Sequence, residues 1–195
     1  MQQTNPYELH RFCAVSELYK DNKLRTDLLH EEYYLYRWWF PMNSPIVIFI
    51  KGYIEQHPED KEMQFVYDHL KQQKIGDDMF CALYFGKSTN GRERFKKHIK
   101  GPMRNSTLRR TIYAILMQMP NESHSEEHIS EVLSQCYYEW IELPNDHELM
   151  GPFETIAIAM GGYPLNIEGN HLVSTAWIQC ITQERINTSD GQKLT

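Results

Sequence analysis

Residues 79–98 read MFCALYFGKSTNGRERFKKH, and the change of pattern within them decides the fold. The first eight residues form a short apolar run whose length and aromatic content are typical of a buried strand. The run stops at Gly86, and a polar turn leads into a basic segment that predicts a helix over residues 91–100. A strand that turns directly into a helix places polar side chains close to the end of the strand.

Other periodic segments surround this unit. Two further apolar runs, residues 46–50 and residues 136–143, predict strands because they are short and rich in β-branched or aromatic residues. Apolar spacing predicts further helices near residues 60–73, after the capping residues at 105–107, after Ser123 and at 150–160. Three strands with helices between them indicate a small mixed α+β domain.

The length of 195 residues fits one domain with additions. We expect an N-terminal helical extension over residues 1–43, which ends in a dense aromatic cluster around Trp38. The domain itself is predicted at residues 44–167, with a helical insertion at 51–78. Residues 168–195 are expected to form a tail that packs on the domain and frays at its end.

Composition excludes several classes of protein. No run of apolar residues is long enough to span a membrane, and the N-terminus lacks the pattern of a secretory signal. A cytoplasmic location and no membrane partner are therefore expected. The four cysteines form no C-x-x-C pair, which argues against a zinc knuckle or a redox dithiol.

Charge is distributed unevenly along the chain. The formal net charge is -6, yet residues 87–110 hold nine Lys or Arg residues and one acid. This asymmetry favours a focused site for an anionic ligand, and a solvated helix face is the alternative interpretation.

Three chemically distinct side chains follow the strand end. Arg94 and His98 lie four residues apart on the predicted basic helix, so they share one of its faces. That face would point back to Tyr84 and make a pocket with a cation, an imidazole and a phenol. Such a set suits phosphoryl transfer, which requires charge stabilisation on phosphorus and groups that move protons.

This arrangement resembles the second half-motif of the GIY-YIG nuclease family. In that family Tyr-x-Gly is followed by an arginine ten residues after the tyrosine and by a histidine or tyrosine four residues later. Here these positions are held, in register, by Tyr84, Gly86, Arg94 and His98. The family also has a glutamate on a helix and, twelve residues later, an asparagine after a proline, which Glu154, Pro164 and Asn166 match. The resemblance covers roughly residues 44–167.

The resemblance implies a metal-dependent DNA endonuclease on a small three-stranded antiparallel sheet flanked by helices. Glu154 would hold one Mg²⁺ or Mn²⁺ ion, and Asn166 would orient Glu154 or the backbone around it. Tyr84 and His98 would position or deprotonate the attacking water, and Arg94 would neutralise the developing charge. DNA phosphates are predicted to contact Lys87, Lys96, Lys97, Arg109 and Arg110.

The first half-motif of the family is a Gly-Ile-Tyr strand whose tyrosine also lines the site. The strand predicted at residues 46–50 places Val47 where this tyrosine is expected. Tyr53 or Tyr67 is then the alternative source of a phenol. Without one, the chain would be a degenerate member that binds nucleic acid but does not cut it.

Two competing interpretations come from other parts of the sequence. Residues 124–128, HSEEH, fit the H-x-x-E-H arrangement of one class of zinc peptidases, although a charged helix start accounts for them as well. The aromatic cluster around Trp38 is suited to stacking on bases in a noncatalytic binding module, although such clusters more often belong to a core.

Overall fold

The computed structural model of the chain describes residues 10–21, 23–30, 32–120, 122, 125–143, 147–168 and 170–191. Its strands are β1 (His10–Ala14), β2 (Tyr19–Lys20), β3 (Lys23–Leu24), β4 (Tyr34–Pro41), β5 (Gln72–Ile75), β6 (Asp78–Ser88) and β7 (Tyr137–Glu142). Its helices are α1 (Val15–Leu18), α2 (Pro45–Gln56), α3 (Lys61–Asp68), α4 (Gly91–Lys100), α5 (Thr107–Leu116), α6 (Glu126–Ser134), α7 (Met150–Gly161) and α8 (Thr175–Gly191).

One antiparallel sheet contains five of these strands, in the order β1-β7-β4-β6-β5, and β2 pairs with β3 separately. The α+β class is confirmed, but the predicted number of three strands is wrong. Both edge strands lack a strong sequence pattern. Strand β5, for example, reads QQKI and is mostly exposed, so no apolar run marks it.

Strand β4 lies between β7 and β6, in the part of the chain where N-terminal helices are predicted. Tyr34, Tyr36 and Trp38 are buried, whereas Leu35 and Arg37 between them are only half-buried. This alternation has the period of a strand, and aromatic residues favour strands over helices. The predicted helical extension over residues 1–43 is therefore wrong for the described residues, apart from the four-residue helix α1.

Residues 46–50 form the first turns of helix α2 rather than a strand. Ser44 caps this helix by accepting a hydrogen bond from the backbone N–H of Val47 at 3.4 Å, and Pro45 occupies its first turn. The buried residues of α2 follow the helical period and are Ile46, Val47, Ile50 and Tyr53. A short apolar run does not by itself distinguish a buried strand from a buried helix.

The sheet separates two hydrophobic cores. The larger core lies on the face that carries Tyr36 and Trp38, and helix α5 runs through it with Leu108 and Ile112 fully buried. The smaller core lies on the opposite face, beneath helix α7, and consists of Trp39, Phe80, Ala82, Phe85, Ile158 and Tyr163. Helix α4 follows directly from β6, and helix α7 packs against β6. The end of β6 therefore lies between α4 and α7.

Several local predictions are confirmed. The strand at β6, the basic helix α4 and the strand at β7 agree with the sequence patterns, and Gly162 closes α7 with a φ of 65°. None of the described helices has the length and apolar character needed to cross a membrane. The division of the chain at residues 43/44 and 167/168 stays a prediction. Fraying is predicted for residues 187–195. Helix α8 extends to Gly191 and so includes the first part of this stretch, and residues 192–195 lie outside the described residues.

Candidate active site

A cleft of about 480 Å³ opens between helix α4 and the first turn of α7, at the C-terminal end of β6. Its walls come from three parts of the chain that are distant in sequence. They are Tyr36, Tyr84, Lys87, Ser88, Thr89, Asn90, Glu93, Arg94, Lys97, Met150, Gly151 and Glu154. The predicted residues Tyr84, Arg94 and Glu154 therefore line one cavity, together with a second phenol that the sequence patterns do not indicate.

This second phenol, Tyr36, comes from strand β4. Tyr36 is paired across the sheet with Gly86, and its ring lies 6.3 Å from the ring of Tyr84. Tyr84 and Tyr36 lie on the same face of the sheet because the pairing between them is regular: Tyr84 lies opposite Trp38, and Trp38 is two residues from Tyr36 on β4. The register shifts just beyond this pair, because Trp38 faces Tyr84 but Trp39 faces Ala82. Leu83 is therefore an extra residue, and both Leu83 and Tyr84 face the larger core.

Gly86 leaves the space that the Tyr36 ring occupies. A Cβ atom at position 86 would lie 2.6 Å from both Cζ and Oη of Tyr36. Gly91, at the start of α4, has the same relationship to Tyr34, whose ring would lie 1.9 Å from an added Cβ. Glycines at these two positions are therefore required by close contacts with aromatic rings of β4.

His98 is fully buried and lies between two hydroxyl groups. Its Nε2 lies 2.9 Å from Oη of Tyr36, and its Nδ1 lies 2.7 Å from Oγ of Ser106. Burial, together with the charges of Arg94 and Arg109, lowers the pKa of His98 well below its usual range. The imidazole is therefore neutral at physiological pH. Among the described residues, its hydrogen-bond partners are the hydroxyl groups of Tyr36 and Ser106.

Arg94 is half-buried in the wall of the cleft. Burial raises the pKa of Tyr84 to about 12, and the charge of Arg94 opposes this rise. Burial and the neighbouring Tyr84 likewise hold the pKa of Tyr36 well above its usual range, again against Arg94. No carboxylate among the described residues lies within ion-pair distance of the Arg94 guanidinium. Its charge therefore acts mainly on the two phenols, the imidazole and the contents of the cleft.

Glu154 contributes a carboxylate to the cleft from helix α7. Its Oε2 lies 3.2 Å from Nζ of Lys87, and the side chains are 24% and 42% exposed respectively. Gly151, one turn earlier on α7, leaves room for Lys87, because an added Cβ would lie 3.4 Å from the lysine Nζ. A cation thus already balances the Glu154 carboxylate from the strand side of the cleft.

Asn166 joins the end of α7 to strand β6. Its Oδ1 accepts a hydrogen bond from the backbone N–H of Phe85 at 2.8 Å, and its Nδ2 donates to the carbonyl oxygen of Phe85 at 2.7 Å. The backbone N–H of Leu165 also donates to the carbonyl oxygen of Leu83 at 3.0 Å. Asn166 therefore pairs with β6 as a neighbouring strand would, and it holds the segment that follows α7 beside Tyr84.

The basic residues of the predicted DNA interface lie in different environments. Lys87 and Lys97 line the cleft, Lys96 is exposed on α4, and Arg110 is half-buried. Arg109, in contrast, is only 1% exposed and belongs to the core.

The guanidinium of Arg109 connects three helices of the core. It donates hydrogen bonds to the carbonyl oxygens of His98, Ile99 and Glu126 at 3.1, 2.8 and 3.0 Å and to Oγ of Ser130 at 3.1 Å. This burial leaves no guanidinium surface for a phosphate, so the predicted DNA contact at Arg109 does not fit its surroundings.

The proposed substitutes for a missing tyrosine do not reach the cleft. Val47 lies in the first turn of helix α2, so the predicted match to the first half-motif at residues 46–50 is wrong. The phenol of Tyr53 donates to Oδ2 of Asp60 at 3.0 Å, away from the cleft, and Tyr67 lies on helix α3. The sequence does not indicate Tyr36 as a residue of the cleft, because it lies in an aromatic segment that is typical of a hydrophobic core.

The competing interpretations gain no support from the structure. Trp38, at the centre of the aromatic cluster, is fully buried, which confirms its assignment to the core. His128 lies on α6 with its ring nitrogens 2.8 Å from Glu122 and 3.3 Å from Glu131, and His124 lies outside the described residues. No group of three or more metal-ligating side chains occurs among the described residues.

A divalent cation nevertheless fits the cleft. Mg²⁺ usually binds through one or two carboxylates together with substrate phosphates and retains several waters. Glu154 offers one carboxylate beside an open cavity, and the ammonium group of Lys87 already lies where positive charge is favoured. The donor set therefore suits an ion held jointly by Glu154 and a bound phosphate.

Comparison with known proteins agrees with this geometry. A family model described as the GIY-YIG catalytic domain matches residues 34–186, which is more than half of the 195 residues. The match begins at Tyr34, the first residue of strand β4, and includes every residue that lines the cleft. No curated protein and no solved structure matches the chain.

Proposed function

The chain belongs to the GIY-YIG catalytic-domain family, a family of nucleases, and from this membership we propose that it is a metal-dependent endonuclease that hydrolyses DNA phosphodiester bonds. One observation carries the proposal. Two phenols from adjacent strands, Arg94 and the carboxylate of Glu154 line the same cleft, although they come from three separate parts of the sequence. Chance would seldom bring together groups so well suited to phosphate chemistry.

Tyr36 is proposed as the tyrosine of the first half-motif. The matched region begins at Tyr34, so Tyr36 is its third residue, as the tyrosine is in Gly-Ile-Tyr. Tyr36 also pairs with Gly86 of the second half-motif. The argument for a degenerate, noncleaving member depended on the absence of this phenol, and we therefore favour an active enzyme.

Binding of the scissile phosphate is assigned to the cations of the cleft. Arg94 is fixed by its half-buried position, so it would meet the phosphate with little loss of conformational entropy. Lys97 lies one turn later on α4, and Lys87 lies opposite on β6. Positive charge on both walls would orient the phosphate and neutralise the negative charge that develops during the reaction.

Proton transfer is assigned to the two phenols. A free phenol has a pKa of about 10, so a water molecule gains a useful base only where a cation stabilises the phenolate. Tyr84 is the better candidate because the charge of Arg94 and the neighbouring Tyr36 hydroxyl both favour its ionised form. His98 would orient Tyr36 from the buried side of the cleft.

Glu154 is the proposed ligand of one Mg²⁺ or Mn²⁺ ion. When bound, such an ion supplies Lewis-acid stabilisation of the phosphate and of the leaving oxygen. Asn166 would hold the end of α7 against β6 and thereby keep Glu154 and Tyr84 at a constant separation. Lys96 and Arg110 are proposed to contact DNA phosphates outside the cleft, which positions the strand without reading its sequence.

The test is cleavage of supercoiled, branched and single-stranded DNA in Mg²⁺ or Mn²⁺ by the full chain. Glu154→Gln keeps the shape of the side chain and removes its charge, and Glu127→Gln makes the same change on the exposed surface of α6. We expect cleavage that is lost with EDTA and in Glu154→Gln but retained in Glu127→Gln. Intact DNA binding without cleavage of any substrate would instead identify a binding module.

A further inference from the structure

Ser106 is a fully buried residue that lies behind His98, on the side away from the cleft. It is the N-cap of helix α5, and its Oγ accepts a hydrogen bond from the backbone N–H of Arg109 at 3.2 Å. The same Oγ lies 2.7 Å from Nδ1 of His98. A single hydroxyl thus joins the backbone of α5 to the imidazole of α4.

The directions of these hydrogen bonds follow from the chemistry of the groups. A backbone N–H only donates, so Ser106 Oγ accepts from Arg109. The O–H of Ser106 therefore still needs an acceptor. Among the described residues, Nδ1 of His98 is the acceptor within hydrogen-bond distance of that hydroxyl. A neutral imidazole carries one proton, and if Nδ1 accepts, the proton is on Nε2.

We propose that Ser106 is a positioning residue that holds His98 in the tautomer with its proton on Nε2, so that the imidazole donates to the phenol oxygen of Tyr36. The hydrogen bonds then run in one direction from the cap of α5 toward the cleft. The oxygen of Tyr36 accepts a hydrogen bond from His98, and its own O–H is free to point toward Tyr84. The tautomer stands on the geometry alone, whereas its importance for DNA cleavage rests on the proposed function.

The consequence concerns which phenol ionises. With His98 donating to its oxygen, Tyr36 keeps its own hydroxyl hydrogen available on the side of Tyr84, and the neighbouring Tyr36 hydroxyl lowers the pKa of Tyr84. In the opposite tautomer Nε2 would accept the proton of Tyr36, and Tyr84 would lose that support. The charged and titratable groups that face these rings are Arg94, Arg109, Tyr138, Glu154 and Glu168. A substitution at Ser106 removes none of these groups.

The first measurement is the long-range ¹H–¹⁵N spectrum of the histidine rings in the ¹⁵N-labelled full chain, with the His98 signals assigned through His98→Gln. We expect a protonated Nε2 and an unprotonated Nδ1. A proton on Nδ1 would overturn the proposal whatever the enzymatic activity. Because the spectrum is recorded without DNA or metal, its outcome is separate from that of the cleavage test.

The second measurement compares three variants. Ser106→Ala removes both the cap and the hydroxyl, and Ser106→Thr retains both. Ser125→Ala removes the equivalent cap of α6, whose Oγ accepts from the backbone N–H of His128 and not from the ring of His98. We expect Ser106→Ala to change the tautomer, to lower the cleavage rate roughly tenfold and to move the alkaline rise of the pH–rate profile to higher pH. Ser106→Thr should restore all three properties, and Ser125→Ala should lower the melting temperature only.

An unchanged tautomer and pH–rate profile in Ser106→Ala would contradict the proposal. The same holds if Ser125→Ala shifts the profile as much as Ser106→Ala does, because the effect would then reflect the loss of a helix cap. If Ser106→Ala does not fold, the spectra of the wild-type chain and Ser106→Thr still decide the tautomer.

Discussion

Gly86 and the phenol of Tyr36 are in direct contact across strands β6 and β4, since a Cβ at position 86 would lie 2.6 Å from the Tyr36 oxygen. Gly86→Ala should therefore displace the Tyr36 ring and break its hydrogen bond to His98. We expect DNA cleavage to fall at least tenfold, as is usual when a reacting group moves by about 1 Å.

The matched control for this glycine is Gly52→Ala on helix α2. An added Cβ at Gly52 has no heavy atom within 4 Å, and alanine favours a helix over glycine by about 1 kcal/mol. This variant should retain cleavage and gain slightly in melting temperature. Equal activities for the two alanine variants would argue against a role for Tyr36.

Asn166→Asp should separate the end of α7 from β6. One carboxylate oxygen would still accept from the N–H of Phe85, but the other would face the Phe85 carbonyl oxygen, which now receives a donated hydrogen bond. Leaving this buried acceptor without a donor is expected to cost about 1–3 kcal/mol of unfolding free energy. Urea denaturation measures the loss, and Asn43→Asp on the surface is the matched control.

Lys87→Met removes one positive charge from the cleft and the ion pair with Glu154. If Lys87 contacts a DNA phosphate, the affinity should fall uniformly across DNA sequences, and the slope of log K against log salt should decrease by about 1. Binding titrations at several salt concentrations test this expectation. Lys51→Met, on the exposed surface of α2, should leave the slope unchanged.

Arg109→Met should lower stability rather than DNA affinity. The substitution leaves the carbonyl oxygens of His98, Ile99 and Glu126 without their charged donor in the core. We expect a loss of roughly 2–4 kcal/mol in unfolding free energy, since several charge-assisted hydrogen bonds disappear. Arg104→Met, an exposed change close by, should alter stability by less than about 0.5 kcal/mol.

The DNA affinity of folded Arg109→Met, measured at low temperature, should equal that of the wild type. A clear decrease in the salt slope for this variant would return Arg109 to the DNA interface.

Acid should destabilise the fold through His98. Because burial depresses the pKa of His98 in the folded protein, the unfolded chain binds the additional proton first as the pH falls. The stability that depends on the neutral ring is fully present above about pH 6.5 and decreases below it, by at most about 1.4 kcal/mol per pH unit. Urea denaturation between pH 7.5 and pH 4.5 measures the decrease.

His98→Gln should show a weaker dependence on pH over that range, whatever its absolute stability. His69→Gln is the control, because it replaces an exposed histidine and should leave the acid dependence of stability unchanged. An identical acid dependence in His98→Gln and the wild type would assign the acid sensitivity to other groups.

Local sequence patterns were sufficient for the elements that carry the second half-motif. Strand β6 and helix α4 are adjacent in the sequence, and their boundary is marked by Gly86 and by the polar turn that follows. Arg94 and His98 share a face because the spacing of four is a property of any helix. The family could therefore be recognised from short-range spacing, without knowledge of the packing.

The first half-motif could not be located in this way. The apolar run that begins at Ile46 has the composition of a strand but follows a helix cap at Ser44, whereas the true strand around Tyr36 resembles an aromatic core segment. The aromatic residues of β4 favour a strand, but its pairing with β6 and β7 depends on segments far away in the chain, which its own sequence does not identify. The sequence pattern therefore favours Val47 at the place for which Tyr36 is now proposed.

By itself the sequence determined the α+β class, the GIY-YIG family and the helical and strand positions of Tyr84, Arg94, His98 and Glu154, because these depend on local period and spacing. Only the tertiary structure decided that β4 pairs with β6 in the register that places Tyr36 beside Tyr84. It likewise decided that Arg109 serves the core rather than the surface. The physical reason is that a strand register and the burial of a charge are set by contacts between segments far apart in the chain, which no local pattern encodes.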